Sequence, residues 1–376
     1  MDLTIENYQI LNEIGSGGIC KVYKCSHSNG NLFAMKKVQM KYWGNPILFE
    51  CMVLSSFNCP YLMKAEEIII DKDLLIIMEL AKCDLCKELK SNIPQLDKLM
   101  EWIYYLLLAL DCLHRANIIH GDVKAKNILL MNDGKIRLND FNLSRYTFLF
   151  PERKSGYTVT HRAPEIWKDE KWDTSADIWA LGCTIFEMAT GTTLFHSVSR
   201  EGKTRTQYDK EMQMGIFKFM KEVKGINLDL DNSIKGKYAT IPDYLLSSKY
   251  KMVWTMINLC LSMDSLKRPS IDSLLNTYYK VNSIHYGPLT TPIFEISDEV
   301  TDMILNKDMK PELKNAVRHL LKKLPPSYHN FEIISTLLSL IFKLFFFPEV
   351  IVTRRSMIDK ENELCKRLVF NLYFLL

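Results

Sequence analysis

Between residues 8 and 78 the apolar side chains come in short runs broken by polar or turn-forming residues, at 8–14, 22–26, 32–38, 68–70 and 74–78. Runs of that length and composition predict strands. Ser28-Asn29-Gly30-Asn31 separates two of them and has the make-up of a hairpin turn. One amphipathic stretch, 47–57, interrupts the series and predicts a helix. After Leu85 the period changes, and in 98–115 and 175–190 apolar residues recur at the three-to-four spacing of a helix. The pattern predicts an α+β chain, with a small β-rich lobe at 8–80 followed by a large helical lobe at 81–282. Asn282, Ser283, Gly287, Pro288 and Pro292 mark a boundary at 281–292. Beyond it, 293–376 reads as a helical extension, and no internal repeat is visible.

Composition narrows the class. A chain of 376 residues that is 47% hydrophobic can fill one large two-lobed core with an appendage, or two to three average domains. Its 48 Lys and Arg against 44 Asp and Glu leave a net charge of only +4, spread along the chain. That balance argues against a dedicated nucleic-acid or membrane-surface binder. The ten cysteines lack the dense spacing of a secreted scaffold. Reduced thiols in the cytoplasm are expected, with the nucleus also open. Cys83 and Cys86 form a CxxC without a matching second pair, so zinc is not expected. The first residues carry two acids and no apolar run, unlike a secretory signal. The apolar stretch 333–352 is interrupted by Lys343, Pro348 and Glu349 and falls short of the roughly 20 residues a spanning helix needs. A buried helix of the tail is expected there.

Ile14-Gly15-Ser16-Gly17-Gly18-Ile19-Cys20-Lys21-Val22 joins two predicted strands. Glycines in such a loop let backbone amides approach phosphates closely, although hairpins carry glycines for their own reasons. Ala34-Met35-Lys36 follows in the next strand. A lysine directed into an apolar cleft needs an anionic partner. A nucleotide phosphate and Glu50 are the two candidates, while Lys36 by itself also reads as a surface lysine. The run His120-Gly121-Asp122-Val123-Lys124-Ala125-Lys126-Asn127 is more specific. Phosphoryl transfer needs a carboxylate to orient the attacking hydroxyl, a cation near the moving phosphate and ligands for magnesium. Asp122, Lys124 and Asn127 supply all three within one short loop. Asp140-Phe141-Asn142 adds a second hard-oxygen ligand after a strand-like 135–138.

In this order the segments resemble the signature set of the protein kinase family. Arg162-Ala163-Pro164-Glu165, Asp177-Ile178-Trp179-Ala180-Leu181-Gly182 and Lys267-Arg268-Pro269 extend the resemblance over about 8–282. It implies a two-lobed protein-kinase fold that moves the γ-phosphate of ATP, with Mg2+, to Ser and Thr hydroxyls of protein substrates. On that resemblance Lys36 holds the α and β phosphates and pairs with Glu50. Asp122 is the catalytic base, Lys124 steadies the γ-phosphate, and Asn127 with Asp140 holds magnesium. Gly15 to Lys21 cover the phosphates, and Ile14, Val22, Ala34 and Leu129 sandwich the adenine. Met78 is the gatekeeper, Glu79, Leu80 and Ala81 form the hinge, and Asp84 meets the ribose. Thr158 bridges Asp122 and Lys124, which favours Ser and Thr over Tyr as acceptors. Glu165 and Arg268 pair to fasten the activation segment, and Asp177 anchors the catalytic loop.

The departures from the family pattern carry their own expectations. Cys20 replaces the third glycine of the phosphate loop, where nucleotide binding is kept but weakened. Asn142 replaces the glycine after Asp140-Phe141 and is expected to tolerate a left-handed backbone there. Gly121 stands where many kinases carry an arginine that gathers an activation-segment phosphate. Activity is therefore expected not to depend on phosphorylation at Ser144, Thr147, Ser155, Tyr157 or Thr160. Arg162 before Ala163-Pro164-Glu165, with residues 189–195 and the helix-like 209–225, is similar to the cyclin-dependent and SR-protein kinase group, although His161 replaces its usual aromatic residue. Residues 358–372 faintly resemble the end of a cyclin-type helical box, against the plainer reading of an amphipathic helix packed on the kinase lobe. A regulatory partner engaged through the tail is the matching expectation. The alternative function is a kinase-fold pseudoenzyme acting as a binding scaffold.

Overall fold

The computed structural model describes residues 4–282 apart from 6, 40–44, 71, 148–156, 169, 196–200 and 223–240. The helical tail expected at 293–376, with its stretches 333–352 and 358–372, lies outside the described residues. The first lobe is a six-stranded sheet of β1 (Thr4–Ile5), β2 (Tyr8–Ser16), β3 (Cys20–His27), β4 (Leu32–Gln39), β5 (Ala65–Ile70) and β6 (Asp73–Glu79). Its order is β1-β2-β3-β4-β6-β5, and every pairing is antiparallel. The helix α1 (Asn45–Ser56) lies between β4 and β5 in sequence.

Side chains alternate across a sheet, so a strand buried on both faces reads as an unbroken apolar run. β6 is such a strand. Leu75 and Ile77 join Tyr8, Cys25, Met35 and Ile69 in a small cluster on one face, whereas Leu74, Ile76 and Met78 join the main core with α1 on the other. In β4 the same alternation puts Met35 in the small cluster and Val38 in the main core. Lys36 shares the parity of Ala34 and Val38 and therefore faces the main core.

The second lobe begins after the short strand β7 (Cys83–Asp84) with α2 (Leu85–Ser91) and the long α3 (Leu96–Arg115). Strands β8 (Ile118–Ile119), β9 (Ile128–Leu130), β10 (Ile136–Leu138) and β11 (Arg145–Tyr146) follow. β10, β9 and β7 form one small sheet, and β11 pairs with β8. Then come α4 (Pro164–Trp167), α5 (Ser175–Thr190), α6 (Arg205–Glu222), α7 (Asp243–Leu246), α8 (Lys251–Cys260) and α9 (Ile271–Asn282). α5 is the centre of the lobe, buried from Ala176 to Ala189. It approaches α8 closely because Gly182 has no side chain; a Cβ there would lie 2.7 Å from Cys260 Cβ. Among the described residues no helix is long and apolar enough to cross a membrane. Within the described residues, the strands expected at 8–14, 22–26, 32–38, 68–70 and 74–78 and the helices expected at 47–57, 98–115 and 175–190 appear, each within a few residues of its sequence bounds.

Candidate active site

Lys36 comes from β4 and Glu50 from α1. Glu50 is the one charged residue of α1 and is 1% exposed, and a buried carboxylate without a partner is costly. Lys36 Nζ meets its Oε1 at 2.5 Å and lies 3.6 Å from Asp140 Oδ1. Burial works against the lysine's charge, but Glu50 and Asp140 outweigh it and raise its pKa.

The loop after β8 gathers the other predicted groups. Asp122 is 5% exposed. Its Oδ1 accepts from the Thr158 backbone amide at 3.0 Å and the Thr158 hydroxyl at 2.8 Å. Its Oδ2 accepts from Asn127 Nδ2 at 2.9 Å and pairs closely with the Lys124 ammonium. Lys124 also donates to Thr158 Oγ1 at 2.6 Å. Burial pushes the Asp122 carboxyl up, but Lys124 and the Thr158 donors overcome it and hold it below its ordinary value. Asn127 uses Nδ2 on Asp122, both on Oδ2 and on the backbone carbonyl at 2.9 Å. That leaves its amide oxygen as the atom a hard cation takes.

Asp177, fully buried in the first turn of α5, braces this loop from below. It accepts from the backbone amides of His120 at 2.8 Å and Gly121 at 3.0 Å, and His114 Nε2 lies 3.0 Å away. The Tyr157 hydroxyl donates to it at 2.7 Å. Burial opposes its charge, yet His114, His120 and Tyr157 lower its pKa. His120 is itself fully buried, and burial lowers its pKa so that the neutral ring persists. Its Nδ1 accepts from the Asp122 amide at 3.2 Å and its Nε2 donates to Asn139 O at 3.1 Å.

Gly121 has φ +82, and a Cβ there would stand 2.6 Å from the Leu143 carbonyl oxygen. The position thus requires glycine sterically, beyond lacking an arginine. Asn142 does not take the left-handed conformation expected of it. The positive φ of this turn falls on Asp140, at 67°, which aims its carboxylate back towards Lys36. Phe141 is fully buried and packs edge-on to His120 at 5.3 Å.

Of the hydroxyls weighed as phosphorylation sites, Ser144, Tyr157 and Thr160 are buried. Ser144 Oγ donates to His120 O at 2.8 Å. Ser155 lies outside the described residues. Tyr157 is the residue the sequence did not single out as an anchor. Its φ is 63°, its amide donates to Gly121 O at 3.1 Å, and its carbonyl accepts from Arg162 at 3.1 Å. Its ring meets Trp172 edge-on at 5.3 Å, and the Arg145 guanidinium sits 3.2 Å from the same indole ring. Burial lowers the Arg145 pKa to about 10, against the pull of Tyr157 and Asp177. No sequence rule flags a tyrosine in a left-handed turn.

The other predicted positions line the opposite side of the cleft. Gly15 pairs with Val22 across β2 and β3, Val22 with Lys36, and Ala34 with Met78. Ile14 is 39% exposed. Gly17 N donates to Cys20 O at 2.8 Å, closing the turn through Gly18 and Ile19 directly after Ser16, the last residue of β2. Met78 is buried, while Glu79 binds Arg137 and Leu80 O accepts from Asn132 at 3.4 Å. Ala81 lies beside Lys82, whose amide bonds Leu130 O at 2.9 Å, next to Leu129 in β9. Asp84 caps α2 by accepting from Lys87 N at 2.9 Å, an occupation sequence reasoning did not give it. Lys21 pairs with Glu13 at the surface.

Glu165 and Arg268 form a buried two-pronged pair at 2.7 Å on each prong, and Arg268 also bonds Ser175 O and Ser262 O. Removing one partner of such a pair typically costs about 3–5 kcal/mol.

Cyclin-dependent kinase F-4 of Oryza sativa subsp. japonica is 30% identical over 207 residues, 52% of this chain. The chain covers 44% of that relative, less than half its length. The family described as the protein kinase domain matches residues 8–280, which is most of the chain. The chain belongs to the protein kinase family.

Proposed function

We propose that the chain is a serine/threonine protein kinase of the cyclin-dependent type, using ATP and Mg2+, whose activation segment is held without a phosphate. The observation that carries the acceptor class is the triangle of Asp122, Lys124 and Thr158, in which one hydroxyl bonds both charged groups. An acceptor hydroxyl next to it finds an ionised carboxylate to take its proton as the O–P bond forms, and Lys124 beside the phosphoryl oxygens. The pKa of Asp122, held low, keeps that carboxylate ionised at neutral pH.

Lys36, fixed by Glu50, serves the α and β phosphates. The Asn127 amide oxygen and the Asp140 carboxylate, whose side chain is 33% exposed beside Lys36, form a donor set that suits magnesium. When held by these two residues, Mg2+ would supply charge neutralisation on the phosphate oxygens. Gly15 to Lys21 cover the phosphates, Ile14, Val22, Ala34 and Leu129 flank the base, and Met78 with residues 79–81 borders its edge.

Independence from an activation-segment phosphate rests on Gly121 and Tyr157. The first leaves no arginine to receive a phosphate, and the second ties the segment to Asp177 through an uncharged hydroxyl. The test is transfer of labelled phosphate from ATP to a peptide library containing Ser, Thr and Tyr acceptors, with and without magnesium. Full-length protein is compared with Asp122→Asn. Label on Ser and Thr peptides that disappears in the variant supports the reading. Equal incorporation by the two proteins would falsify it and favour the scaffold alternative.

A further inference from the structure

Cys59 and Cys112 lie outside the cleft and have no part in the chemistry above. Cys59 follows the end of α1 by three residues, and Cys112 sits near the end of α3. Both are free thiols, and their sulfurs are 2.9 Å apart. That is within about 1 Å of the 2.05 Å bond of a disulfide. Cys59 is 8% exposed and Cys112 is partly exposed.

The backbone around Cys59 is already fixed against the second lobe. Cys59 O accepts from Leu62 N at 3.2 Å, Tyr61 O accepts from Leu138 N at 2.8 Å, and Met63 N donates to Leu138 O at 2.9 Å. Tyr61 stacks on Tyr105 of α3 with ring centroids 4.9 Å apart. The two sulfurs are therefore brought within 2.9 Å of each other by structure that exists before any bond forms. The hydrogen bond from the Cys112 thiol lowers the Cys59 pKa, which makes Cys59 the sulfur that reacts first.

We propose that Cys59 and Cys112 are a peroxide-oxidised dithiol whose disulfide staples the α1–β5 connector to α3. The Cys59 thiolate attacks a peroxide oxygen; an S–O bond forms, the O–O bond breaks, and the hydroxide released is protonated to water. The Cys112 sulfur then attacks Cys59 Sγ; the S–S bond forms, the S–O bond breaks, and a second water leaves with the Cys112 proton. Two thiols are oxidised by two electrons, and one hydrogen peroxide is reduced to two waters. Cys59 and Cys112 are 53 positions apart, and the closed loop takes in β5, β6, β7, α2 and most of α3, while α1 with Glu50 lies outside it. Since the sulfurs move by less than the width of an atom, the Lys36–Glu50 pair is retained in the oxidised form.

The experiment titrates reduced full-length protein with hydrogen peroxide, blocks remaining thiols with N-ethylmaleimide, and maps peptides by mass spectrometry without reductant. The expected product is a Cys59–Cys112 linked peptide pair, lighter by two hydrogens than its reduced parts. The thermal unfolding midpoint rises by several degrees, as closing a long loop predicts. Dithiothreitol reverses both changes, and the phosphotransfer rate stays within about twofold because the cleft residues do not move. Cys59→Ser and Cys112→Ala each abolish the link and the midpoint shift; either variant alone suffices if the other does not fold. Sulfinic acid at Cys59 without a link, a link between other cysteines, or a midpoint shift that survives in either variant overturns the proposal.

Discussion

The floor and the roof of the cleft are built on opposite principles. The floor, His120 to Asn127, is buried and polar, and each group that faces the reaction is fixed by a bond to a distant part of the chain: Asp177 below, Thr158 beside it, Asn139 behind. The roof, residues 14 to 22, is exposed strand and turn, closed by one backbone bond from Gly17 to Cys20. Two of the departures that involve glycine, Cys20 and Gly121, fall one on each side. On the roof a glycine is replaced by Cys20, while an added Cβ at neighbouring Gly18 would meet nothing within 4 Å, so side chains are sterically tolerated there. On the floor Gly121 replaces a larger residue, and a Cβ would strike the Leu143 backbone. One departure is nearly free and the other is built into the packing.

That contrast can be broken most forcefully at Asp122. Asp122→Asn is expected to lower kcat by about 10²–10⁴-fold, the range for a lost general base, with little change in KM for ATP; single-turnover transfer reads it. Gly121→Arg comes next, because it forces a side chain into a left-handed backbone and against Leu143 O. It should lose about 1–3 kcal/mol of stability from backbone strain before the clash is added, measured by urea unfolding. An unaltered midpoint would mean that the floor is as permissive as the roof.

Tyr157→Phe removes one donor from a fully buried carboxylate and is expected to lose about 1–3 kcal/mol. Its kcat should fall further than its KM for ATP rises, since Asp177 holds the catalytic loop and not the nucleotide. Acid sharpens the same point. His120 is neutral in the fold with a lowered pKa, so stability declines as pH falls below the unfolded histidine value of about 6.5. Asp122 and Asp177 have lowered pKa values, so their contribution is complete above the unfolded carboxylate value of about 3.9 and is lost as pH falls through their folded values. Urea unfolding from pH 8 to 3 should therefore show two successive losses; stability that rises on acidification contradicts this. Smallest of all, Cys20→Gly removes a side chain that is only partly buried against the core and should change KM for ATP by no more than about twofold.

Much of this was legible in the sequence where local pattern and chemistry coincide. The apolar run at 74–78 predicts a strand, and β6 covers it. Asp122, Lys124 and Asn127 lie within one loop, so their proximity followed from spacing alone. What sequence could not supply is handedness of the backbone and reach across the fold. The left-handed residue of the Asp140-Phe141-Asn142 turn is the aspartate and not the asparagine, with the Asp140 carboxylate 3.6 Å from Lys36. Tyr157 read as a phosphorylation candidate, since nothing local reveals that its hydroxyl is buried on Asp177. Asp84 read as a ribose contact, and its capping of α2 depends on a helix start that the pattern placed only approximately.

The central claim is that the activation segment is held by Tyr157 and Asp177 in place of a phosphate. Its most direct test measures initial rates on one Ser/Thr peptide before and after complete phosphatase treatment of the full-length protein, with Asp122→Asn as the blank. The account predicts equal rates above the blank, with mass spectrometry showing no phosphate left on the segment from Asn142 to Ala163. A treated protein that falls to the level of the blank and recovers when an upstream kinase restores the phosphate would contradict it.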